Sequence, residues 1–203
     1  LKRQEAIKNI IKENKIAGIL DFVQQVASPD KVGHALGCIE GESVDTSLLP
    51  GYLEKKDRVF KSFIGGFVWG RFWTKSWPWV DDMIKNTWTI QQKSAFLYLL
   101  PFTQDTWSRV EKILNNNEAI YWKKANVNPW GEREHLLYAV DKLLHYGRPK
   151  SALACLNRLV HDKFKFSPDL AIRALMDTLT TEENQSVLDR HDILELIKWL
   201  QDN

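Results

Sequence analysis

The chain has 203 residues, 44% of them hydrophobic and 27% charged, which is enough apolar material for a core burying roughly 70% of the unfolded surface and excludes a disordered or collagen-like chain. Twenty-eight Lys+Arg against 26 Asp+Glu leave a net charge of +2, a balance that demands no polyanionic partner by composition. The two cysteines, Cys38 and Cys155, form no CxxC pair, which argues against a disulfide framework or zinc ribbon and for a reducing, cytoplasmic setting; no 18-residue apolar run marks a membrane span.

The first residues, Leu1-Lys2-Arg3-Gln4-Glu5, contain neither an initiating Met nor the apolar core of a leader, so the sequence reads as a piece of a longer protein. Helical periodicity then runs almost unbroken, and no stretch alternates as a half-buried strand would. An all-α protein is expected. Ala6, Ile10, Ile11, Ile16, Ile19, Leu20 and Val23 predict two short helices separated around Asn14-Lys15. Ser28-Pro29-Asp30 opens the next helix, with Ser as N-cap and Pro in the first turn, and Ser167-Pro168-Asp169 repeats the device. His34 and Cys38 lie four apart on that helix, the spacing of a metal pair, yet no second ligand pair accompanies them; a packed helix with Gly33 and Gly37 allowing close approach fits better. Residues 41–51, rich in Gly, Ser, Asp and Pro, predict a loop and the soft joint of one helical domain spanning 1–203.

Between 57 and 73 the apolar residues come in pairs, Val59/Phe60, Phe63/Ile64 and Phe67/Val68, and predict a helix buried on more than one side. Gly65-Gly66 inside it weakens the helix by about 1 kcal/mol each relative to Ala, a cost offset where another backbone packs closely. Four of the nine Trp fall at 69, 73, 77 and 79; Trp69 and Trp73 share a face, and Pro78 breaks the helix. Residues 51–80 also carry six Lys/Arg against two Asp/Glu. Interleaved aromatics and cations hold peptides through anchors or stack bases along a phosphate backbone, and large aromatics equally fill gaps between helices. Arg71, Trp73, Trp77 and Trp79 are the candidate contact cluster. Asp81-Asp82 reads as the first turn of a further helix.

A short buried helix over 91–100 ends near Pro101, and Thr103 is placed to cap the next, which carries Trp107, Val110, Ile113 and Leu114. Glu132-x-x-His135 is half of a di-metal helix motif whose second half is missing, and reads as a solvated helix face. Residues 121–165 hold nine Lys/Arg and four Asp/Glu, whereas 166–203 hold three and eight; Lys123, Lys124, Arg148 and Lys150 form the candidate electrostatic patch. Leu136, Leu137, Val140, Leu143 and Leu144 make one apolar stripe, Gly147 stands where a left-handed helix end is wanted, and Pro149 starts a second helix with Ala152, Leu153, Leu156 and Leu159 on one face. Leu170, Ala171, Ala174, Leu175 and Leu179, then Ile193, Leu194, Ile197 and Leu200, continue the pattern.

The stretch from Ala139 to Leu153, with its Tyr146-Gly147-Arg148-Pro149 turn, resembles the helix-turn-helix of tetratricopeptide repeats, with HEAT-like repeats equally open; the likeness is best over 132–162. It implies stacked antiparallel helix pairs, an α-solenoid through the C-terminal half, and a binding scaffold without catalytic residues. No glycine-rich phosphate loop, HExxH or GxSxG occurs. The expected function is therefore a non-catalytic protein-interaction or regulatory segment of a larger intracellular protein. It would use no cofactor or metal, would bind a protein, a peptide or other domains of its parent chain, and would not engage membrane. Nucleic-acid binding through 51–80 and 121–165 is the alternative.

Overall fold

In the computed structural model, which describes residues 2–39, 41–183 and 190–202, every regular element among the described residues is a helix. The chain divides into two compact units, residues 1–100 and 101–203. The first holds α1 (Lys2–Val23), α2 (Pro29–Gly37), α3 (Glu42–Leu48), α4 (Arg58–Met83) and α5 (Ile90–Leu97).

The two helices expected before residue 25 are two arms of α1, which breaks at Lys15 (φ 54°, ψ −154°) where the sequence placed the gap. Ile7 on the first arm, and Ile19 and Val23 on the second, are its buried positions. The Asp57 carboxylate starts α4 by accepting the N–H groups of Val59 and Phe60 at 2.9 and 3.1 Å, satisfying two of the donors a helix start leaves open. Pro78 has no N–H and its ring collides with the carbonyl four residues back, so a straight helix cannot pass it. The chain instead turns at Ser76 (φ 56°, ψ −154°) and resumes, with Pro78 in the first turn of the new arm, where no N–H is needed. Asp81-Asp82 accordingly lies in the last turns of α4 rather than opening another helix.

The loop expected over 41–51 holds α3, which lies inside the first unit. Its propensity is poor, and tertiary burial holds it: Leu48, Leu49 and Asp45 are all buried. The Ser47 hydroxyl bonds the Ser43 carbonyl oxygen at 2.7 Å. The central packing is α2 across α4, where Gly33 and Gly37 meet Gly66 and Gly70 backbone to backbone. The close approach expected at these glycines is present at Gly33, Gly37 and, of the Gly65-Gly66 pair, at Gly66, whereas Gly65 meets only the Leu99 side chain at ordinary contact distance.

The second unit comprises α6 (Gln104–Leu114), α7 (Ala119–Trp122), α8 (Leu136–His145), α9 (Pro149–His161), α10 (Pro168–Thr180) and α11 (Arg190–Asp202). Trp107 and Trp122 are fully buried and meet Phe102 and Tyr138 at ring separations of 4.8 to 6.3 Å, so these four aromatics fill the space beside α6 and α7. Gly147 takes the left-handed conformation the turn requires (φ 72°), and α9 packs against α8, α10 and α11 through Ala152, Leu153, Cys155, Leu156 and Leu159. Glu132 and His135 are not on a shared helix face. Glu132 follows a 3-10 turn, Pro129–Gly131, and its carboxylate accepts the N–H groups of Arg133, Glu134, His135 and Gln104.

Candidate interaction surface

The two sides of α4 have opposite roles. On the inner side Arg71, 1% exposed, donates Nε–H to Asp45 Oδ1 at 2.7 Å, Nη1–H to the Gly37 and Ile39 carbonyl oxygens, and Nη2–H to the Gly41 carbonyl oxygen at 2.7 Å. The other oxygen of the same carboxylate accepts the Trp79 indole N–H at 3.0 Å, and the Trp79 ring meets Phe96 at 5.5 Å. A buried guanidinium is tolerated only with a carboxylate and acceptors for its remaining N–H groups, and α3 together with the end of α2 supplies them. Arg71 and Trp79 are therefore corrected from contact residues to interior ties holding α3 on α4.

The outer side is different. Trp73 is 74% exposed and Trp69 41%, one turn apart on one face. Trp77, half-buried, meets the half-buried Phe72 ring edge-on at 4.8 Å, and Phe72 lies 6.1 Å from the Trp69 ring. The kink at Ser76 separates Trp77 from Trp79: the first stays with the outer aromatics, the second turns inward. Beside Trp79 a cleft of about 630 Å³ is lined by Lys75, Pro78, Asp82, Met83, Lys85 and Trp88.

In the second unit Lys123 and Lys124 are exposed just after α7. Arg148 is not: it is 4% exposed and donates to Glu183 Oε1 at 3.0 Å, the Ala125 carbonyl oxygen at 2.7 Å and Ser151 Oγ at 2.7 Å. Glu183 also accepts the backbone N–H of Lys150 at 2.8 Å, and the Ser151 hydroxyl donates to the same carboxylate, so this acid from the chain after α10 caps α9. Lys150, half-buried, extends Nζ to the Glu183 carbonyl oxygen at 3.3 Å. The patch expected of four cations thus keeps Lys123 and Lys124 on the surface and turns Arg148 inward. On α10, Ile172, Met176 and Leu179 are exposed on a different side from Ala171 and Ala174, the buried positions.

Among the described residues no group of three or more His, Cys, Asp or Glu is placed to hold a metal. Cys38 Sγ and His34 Nδ1 are 3.8 Å apart, and burial pushes the Cys38 thiol up against the opposing pull of Arg71. Burial raises Cys155 further, to about 12. Burial also opposes ionisation of Glu132, but the N–H groups of Gln104, Arg133 and His135 outweigh it and hold that carboxyl below its ordinary range.

Two residues that organise these sites, Asp45 and Glu183, are unmarked in the sequence because their partners are 26 and 35 residues away. Trp69 was legible, since it shares its face with Trp73 at one-turn spacing. No family model, curated protein or solved structure matches the chain.

Proposed function

We propose that this chain is a non-catalytic protein-interaction segment of a larger intracellular protein, capturing a peptide on the outer face of α4. The observation that carries the reading is Trp73, 74% exposed beside Trp69, Phe72 and Trp77. Isolated exposed aromatics are ordinary, whereas a contiguous group of this kind is the composition of an interface anchor. The partner segment is apolar and flanked by acidic residues. With Arg71 already neutralised by Asp45, residues 51–80 still present Lys55, Lys56, Arg58, Lys61 and Lys75 against Glu54 and Asp57.

Helical-repeat stacking is part of the proposal for the second unit. It is supported by α8 packing on α9 across the Gly147 turn and by α10 and α11 packing on α9 in succession. The nucleic-acid alternative has less support, because Arg71 and Arg148, two cations of its footprint, are spent on internal carboxylates.

The test is affinity capture from lysate at moderate salt, with and without nuclease, comparing the natural chain with a Trp69→Ala/Trp73→Ala variant. Proteins retained after nuclease and lost with the variant, at unchanged melting temperature, support the reading. Capture that disappears with nuclease, or that the variant retains in full, overturns it.

A further inference from the structure

We infer that the first unit carries a binding site for a free single-chain amphiphile with an anionic head, of the fatty-acid class, between α1 and α2. A cavity of about 400 Å³ lies there, walled by Ile7 from the first arm of α1, Phe22 from the second, Val26 from the following turn and Val32 from α2. The space is a cleft half open to solvent, so a ligand can enter it directly. At the ~30 Å³ a water occupies in the liquid, it has room for about a dozen methylene-sized groups, a size within the range of ligand pockets.

The cavity is a product of the break in α1. A straight helix would separate Ile7 from Phe22 by about 22 Å at 1.5 Å per residue, too far to wall one cavity; the turn at Lys15 brings both to it. The residue in the strained left-handed backbone therefore shapes this space.

The polarity of the lining selects the head group. Arg3 and Lys31 are the charged residues of the wall, one from each helix. Both are exposed, and neither side chain has a hydrogen-bond or ion-pair partner among the described residues. Two unpaired cations beside an apolar cavity fit a carboxylate whose tail fills the interior, and the same pair repels a cationic head.

The experiment is calorimetric titration of the intact chain with dodecanoate below its micelle concentration, alongside dodecyltrimethylammonium and dodecanol. Expected is saturable one-to-one binding of dodecanoate, with the cationic amphiphile weaker by about tenfold or more. Arg3→Gln/Lys31→Gln should weaken dodecanoate by at least about fivefold and leave dodecanol unchanged, because both side chains are exposed and the fold does not depend on them. Ala6→Trp, which fills the cavity from an exposed wall position, should remove binding of both without lowering the melting temperature. No binding, equal binding of the two charged amphiphiles, or binding unchanged in Ala6→Trp overturns the inference. So does adsorption to phosphatidylglycerol vesicles without uptake of free dodecanoate, which would assign the cations to a membrane surface.

Discussion

Gly33 and Gly66 occupy reciprocal places on two crossing helices. A Cβ on Gly33 would lie 1.9 Å from the Phe63 carbonyl oxygen, three residues before Gly66, and a Cβ on Gly66 would lie 2.0 Å from the Asp30 carbonyl oxygen, three residues before Gly33. Gly37 and Gly70 repeat the relation one turn on, at 2.3 Å from the Phe67 oxygen and 2.4 Å from the His34 oxygen. Each glycine thus presents a Cα hydrogen to a carbonyl of the other helix. This is the contact that paired small-xxx-small motifs make where helices cross at close range.

The neighbouring glycines separate packing from propensity. Gly33→Ala and Gly66→Ala both drive a methyl into backbone and should cost about 3 kcal/mol or more, since the helices must move apart. At Gly65 the nearest group is Leu99 Cδ2 at 3.8 Å, ordinary contact, so Gly65→Ala should stabilise by about 0.5–1 kcal/mol. Melting temperatures of the three variants should shift in opposite directions; a destabilised Gly65→Ala would contradict this account.

Asp45 holds Arg71 and Trp79 at once. Asp45→Ala should cost about 3–5 kcal/mol by leaving the guanidinium buried without its counter-charge, measured by urea denaturation. Asp45→Leu combined with Arg71→Met should recover much of that loss, as apolar replacement of a buried pair commonly does.

Trp73 and Trp79, six residues apart, should respond in opposite ways. Trp79→Ala should lower stability by about 3–5 kcal/mol, the usual result of deleting a buried Trp. Trp73→Ala should stay within about 0.5 kcal/mol in stability while weakening partner binding by about 2 kcal/mol or more. Paired melting and binding curves decide the assignment.

Glu132 gives the fold an acid-dependent element. Its carboxyl lies below the ordinary 4.5 when folded, so the folded state releases its proton more readily. Its stabilisation is fully present above the ordinary value and is lost as pH falls through the folded one. Glu132→Gln should cost about 1–3 kcal/mol at neutral pH, with the difference shrinking in acid. Stability curves from pH 7 to pH 3 that stay parallel would refute the role.

The thiols should label in sequence. Cys155 is fully buried with its pKa near 12, and Cys38 is part-exposed with a smaller rise. Alkylation of the folded chain at pH 8 should modify Cys38 slowly and Cys155 only on unfolding, which mass spectrometry of the labelled peptides would record.

Features governed by residues near one another in the chain were readable from it. Apolar spacing specified helices throughout, and the polar gap at Asn14-Lys15 marked the break in α1. Gly147 before Pro149 marked the turn between α8 and α9. Even the backbone contact on α4 was implied, because consecutive glycines inside a helix need a compensating neighbour. Which glycine makes that contact was not readable, since Gly65 and Gly66 differ only in the side of α4 they occupy relative to α2.

Tertiary structure alone decided the fate of the charges. Arg71 and Arg148 look in sequence like surface cations among aromatics and lysines, and both are interior because carboxylates 26 and 35 residues away meet them. Periodicity reports the side of a helix on which a residue lies; it says nothing of what the chain brings to that side after several turns and loops. A guanidinium is excluded from the interior or fixed within it according to whether an acceptor set arrives, and that arrival is a property of the assembled helices.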